Sequence, residues 1–171
     1  MHFSSKIVLH ELSLQSLKDM GAEVIDMDGL MVFARFEKDD FRVTYLYHRN
    51  PDNTFLLERI KPYQLIIGEY DSEHQVVENI TNDMDQINNA RNSHKFDSFV
   101  ETLQKMNKFK RDFDDLFLYY NINSDDMQYI QDSIKRLCKD VYRIKSHSNR
   151  IYHKTDPQSL KDDEENKDNE G

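Results

Sequence analysis

A chain of 171 residues can bury one core, or the cores of two small lobes, without disulfides or a structural metal. Hydrophobic residues make up 37% of it, with ten Phe and nine Tyr, which excludes general disorder despite a formal net charge of -9. Cys138 is the only cysteine, which excludes an internal disulfide and any zinc site built on paired thiolates, and fits a reducing compartment.

The N-terminal stretch is interrupted by Lys6, His10, Glu11 and Lys18. It therefore offers neither the apolar region of a signal peptide nor a membrane span of about 20 apolar residues, and a cytoplasmic protein is expected. Leu12, Leu14, Leu17 and Met20 predict a short helix, capped by Ser13 and ended by Gly21, while the preceding SKIVLHE reads as an edge strand. From Ala22 to Tyr70 the pattern shortens to five β-like runs, AEVIDM, LMVFARFE, FRVTYLYH, TFLLERI and YQLIIGEY, which predict a β-meander. Asp28-Gly29 suits a type I′ hairpin turn, and Lys38 to Asp40 and Arg49 to Asn53 read as looser connections. In the third run Phe41, Val43, Tyr45 and Tyr47 share one face, which predicts burial of that face. The fifth run is apolar on both faces and is expected inside the sheet or under a helix, with Pro62 at its beginning.

After Asp71 the period lengthens. Val77, Ile80, Met84 and Ile87 mark a first amphipathic helix capped by Ser72, and a second carries Phe96, Phe99, Leu103, Met106, Phe113, Phe117 and Tyr120. A third follows the NINS turn, with Ser124 as its cap and Asp125 and Asp126 in its positive first turn. Its seam of Met127, Ile130, Ile134, Leu137, Val141 and Ile144 repeats at three and four, and Ile151 extends it towards residue 153. The short turn makes the second and third helices antiparallel neighbours with buried seams. The fold class is thus α+β: an N-terminal helix and antiparallel β-meander (1–72), a packed helical region (73–153) of three amphipathic helices ending in an antiparallel hairpin, and a disordered acidic tail (154–171).

No chemistry-bearing motif emerges. The seven histidines never form HExxH, and Asn121 to Asp132 lacks both the glycine and the bidentate glutamate of a calcium loop. Glu58 and Lys61 fall on opposite faces of a strand, which rules out a nuclease-type pair, and there is no GxGxxG, GxxxxGK[ST] or GxSxG. Cys138, next to seam residue Leu137, reads as a small buried thiol. The aromatics Phe33, Phe41, Tyr45, Tyr47, Phe55 and Tyr63 read as core rather than as a base-stacking platform. No catalytic residue, metal ligand or cofactor is therefore expected.

The one local anomaly is charge. Seven Lys or Arg residues lie between Lys135 and Lys154 with only Asp140 as an acid, and Arg136, Lys139, Arg143, His147 and Arg150 align as a stripe beside the apolar seam. Bases also complement the end of a helix macrodipole, which gives the stripe a purely structural reading. The sequence thus points to a non-enzymatic interaction or regulatory protein that binds a protein partner or forms a homo-oligomer through its helical hairpin or sheet face. The alternatives are a nucleic-acid-associated regulator using the stripe, or an acidic mimic of nucleic acid.

Overall fold

The computed structural model describes residues 5–160; residues 161–171, most of the stretch expected to form a disordered tail, lie outside them. The element order is α1 (Ser5–Asp19), β1 (Glu23–Met27), β2 (Met31–Lys38), β3 (Phe41–Arg49), β4 (Phe55–Lys61), β5 (Leu65–Tyr70), α2 (Glu73–Ala90), α3 (Phe96–Tyr119) and α4 (Ser124–Ser146). This is an α+β fold. By its contacts the chain divides into two compact units, Met1–Phe109 and Lys110–Gly171, and α3 runs from one into the other.

In the first unit the five strands form one antiparallel meander in the order β1-β2-β3-β4-β5. Period-two alternation puts Val32, Ala34, Phe36, Val43, Tyr45, Tyr47, Phe55 and Leu57 on one face. Leu14 and Leu17 of α1, Val76, Ile80 and Ile87 of α2, and Phe96 at the start of α3 complete that core. The Asp28-Gly29 turn has positive φ at both central residues, as expected, and the Leu30 N–H donates to the Met27 carbonyl to close it. Asp39 and Asp40 also have positive φ between the paired residues Lys38 and Phe41, so this connection is a tight two-residue turn and not a loose one. The aspartates tolerate a backbone that most side chains avoid.

Two further expectations are corrected in this unit. SKIVLHE is the beginning of α1, not an edge strand. One continuous helix brings His10 one turn before Ser13 and Leu14, which lets a side chain outside the apolar pattern anchor it. The helix ends in a Schellman arrangement, with Gly21 at φ +94°, its N–H donating to the Lys18 carbonyl and the Ala22 N–H donating to the Leu17 carbonyl. β5 is an edge strand, and Leu65 and Ile66 are exposed. Leu65 and Ile66 are consecutive, so both faces are open at this end of the strand, whereas Ile67 and Tyr70 pack against the core and the strand touches α2.

The second unit comprises the end of α3, the turn at 120–123, α4 and the irregular segment after it. The cap of α4 is Asn123, whose side-chain oxygen accepts from the Asp126 N–H at 2.8 Å, rather than Ser124. The helix stops at Ser146 with His147 as its C-cap and does not reach residue 153. Ser146 and Ser148 hydroxyls take the Arg143 and Ile144 carbonyls, so side chains satisfy the last turn and Ile151 lies past the helix. The seam is not a buried core either. Near the turn Phe113, Ile122, Met127 and Ile130 are half-buried, whereas Ile134, Leu137, Val141 and Ile144 are exposed at 43%, 63%, 48% and 49%. The free thiol of Cys138 is exposed as well, not buried.

Candidate functional site

In the first unit the side chains with the most unusual environments are polar groups under α2. Its buried face runs Glu73, Val76, Ile80, Asp83 and Ile87, the three-four spacing of one helix stripe, with a carboxylate at two of the five positions. A buried carboxylate is tolerated only where donors replace its water. Asp83 Oδ2 accepts from the Tyr45 hydroxyl at 2.6 Å, and its Oδ1 lies 3.5 Å from Arg59 Nη2. Arg59, itself 3% exposed, donates from Nη1 to the Tyr63 hydroxyl at 2.8 Å. Burial pushes the Asp83 carboxyl above its usual range, against the pull of Arg59 and of the Tyr45 hydroxyl. Burial likewise pushes the Tyr45 and Tyr47 phenols well above theirs, so both remain proton donors.

The other end of α2 repeats the scheme. Glu73 Oε1 accepts from the Tyr47 hydroxyl at 3.0 Å and meets His10 Nδ1 at 2.7 Å, while His10 Nε2 lies 3.2 Å from Asp26 Oδ2. Burial lowers the pKa of His10, but the hydrogen bonds and charges of Glu73 and Asp26 outweigh it and hold the ring above its ordinary value. Both ring nitrogens are thus engaged with carboxylates, which leaves neither to activate a nucleophile. The cluster ties α1, the β1 end and α2 together; its chemistry is structural.

Beside it opens a groove of about 360 Å³, lined by Leu9 and Leu12 of α1, Phe55, Val77, Lys6 and Arg49. The Arg49 guanidinium lies 5.2 Å above the Phe55 ring. The groove is largely apolar, and Asp71 and Glu73 line it together with Lys6 and Arg49, so its charges are of both signs. No group of described His, Cys, Asp or Glu residues is arranged to hold a metal ion. No helix among the described residues is long and apolar enough to cross a membrane.

The basic stripe is only partly assembled. Arg136, Lys139 and Arg143 lie on α4, His147 is its C-cap, and Arg150 lies in the segment beyond it. Arg143 is engaged by Asp140 at 2.8 Å. Arg150 donates to the carbonyls of Tyr152 and Thr155 and to Asp156, so it secures its own segment. What the second unit displays instead is the apolar seam. Sequence reasoning found those residues and took them for core, while it missed the buried pair Glu73 and Asp83; the spacing of Val76, Ile80 and Ile87 was the signal that places both inward. No family model, curated protein or solved structure matches the chain.

Proposed function

We propose that the chain is a non-enzymatic cytoplasmic interaction protein, in which the first unit is a folded body and α4 offers its apolar seam to a helix of a protein partner, a second copy included. The exposure of Ile134, Leu137, Val141 and Ile144 along one face carries this reading. The helix that bears them is capped at both ends and has an acidic first and a basic last turn, so it is complete as a helix, and the seam is its apolar face. Apolar side chains at three-four spacing match a helix laid alongside. An exposed Cys138 thiol fits a reducing compartment.

Polyanion binding through Arg136, Lys139, Arg143, His147 and Arg150 is the weaker reading, because Arg143 and Arg150 are already held by acids or carbonyls. The test of the leading reading compares the parent with Leu137→Glu/Val141→Glu on a matrix exposed to native-host extract. The parent should retain a protein that the variant, with unchanged circular dichroism, releases. Identical retention by both would overturn the seam as a binding surface.

A further inference from the structure

We infer that the occupant of the α4 seam is a second copy of the same helix, running antiparallel to the first, so that the chain forms a two-fold dimer. The inference rests on the interaction reading above and narrows it to one partner.

The first observation is the symmetry of the seam. Its spacings read the same in both directions about a point between Lys135 and Arg136. Reversing one copy therefore places Ile134 level with Leu137 of the other, Ile130 level with Val141, and Met127 level with Ile144. Each pairing joins the first apolar position of one heptad to the second of the other, which is the layer that antiparallel helices form. A two-fold axis then makes every contact twice, as an isologous interface requires.

The second observation is the division of charge along α4. Residues 124–134 carry Asp125, Asp126 and Asp132 and no base, whereas residues 135–146 carry Lys135, Arg136, Lys139, Arg143 and Lys145 against Asp140. Parallel pairing would set acid beside acid and base beside base. Antiparallel pairing sets each acidic half along the basic half of the other copy, and opposes the two helix dipoles. Shape alone admits either direction; charge selects one. Arg136, Lys139 and Arg143 lie beside the seam and stay solvated in the pairing; they act on the acidic half of the other copy through their charge alone.

Static light scattering of the full chain over a concentration series should give a mass that rises from one copy to two. Orientation is read by cross-linking in a Cys138→Ser background, with Met127→Cys in one preparation and Ile144→Cys in another. Along one helix these two positions are about 25 Å apart. Under mild oxidation the mixture should form the mixed disulfide and neither preparation alone should cross-link. Self-cross-linking within each preparation would overturn the antiparallel arrangement, and a mass of one copy throughout would overturn the dimer. Leu137 is exposed, so Leu137→Glu should keep its helix content and yield a single copy; a persistent dimer would place the interface elsewhere. A single-copy parent that still holds a host protein through the seam defeats this inference but not the interaction reading. Loss of both defeats both.

Discussion

Asp83 has two donors within reach, and the nearer is a single hydroxyl. Tyr45→Phe removes the 2.6 Å bond and leaves Arg59 at 3.5 Å, so the carboxylate stays buried with less to replace its water. Stability measured by urea unfolding should fall by about 1–3 kcal/mol, because an unsatisfied buried acceptor loses most of its solvation. An unchanged midpoint would mean that Asp83 does not depend on Tyr45. His10 predicts a pH dependence with a definite sign. Its folded pKa is raised by Glu73 and Asp26, so its contribution is full below the ordinary histidine value of 6.5 and is lost as pH rises through the folded value. The stability difference between the parent and His10→Gln should therefore be largest below pH 6.5 and shrink above it. A difference that does not vary with pH would show that the ring is not charged in the folded protein.

At the scale of elements, α1 and β1 meet through a turn that only one residue type enters without strain. Gly21→Ala places a side chain at φ +94° with nothing within 4 Å of the added carbon, so its cost is confined to the backbone, about 1–2 kcal/mol. Gly21→Asn should recover part of it, and equal stability of all three proteins would rule the turn out as a constraint. The strands were legible because alternation along Val32 to Phe36 and Val43 to Tyr47 reports directly on one buried face. α1 was not, since Ile7, Val8 and Leu9 form a run too short to separate strand from helix, and what anchors the helix is a histidine bound to residues 16 and 63 positions away. β5 was half placed: it meets α2, as one of its two expected positions required, but it lies at the sheet edge, and an apolar run does not reveal where a sheet ends. The stripe on α4 was half legible: periodicity aligned five bases, but the serines that close the helix at residue 146 left two of them off it. No local rule separates a buried seam from an exposed one, because that depends on what lies opposite.

Across the molecule, the two units differ in how deeply they are buried. The sheet and α2 share a continuous core, whereas α4 contains no buried residue. Amide hydrogen exchange at low protein concentration should therefore release α4 well before β3, β4 and α2, since local opening there uncovers little apolar surface. Equal protection would show that α4 is stabilised within a single chain, and protection of α4 that grows with concentration would come from its pairing. The strongest constraint on the first unit lies in α2, which is held at Glu73 near one end and at Asp83 further along, each by a tyrosine of β3. Two polar fixings on one helix forbid both sliding and rolling against the sheet, because any shift strands a carboxylate in an apolar layer. This has an evolutionary corollary. Drift should leave Tyr45 with Asp83, and Tyr47 with Glu73, as linked pairs that are kept together or replaced together, while the apolar residues between them exchange freely among themselves.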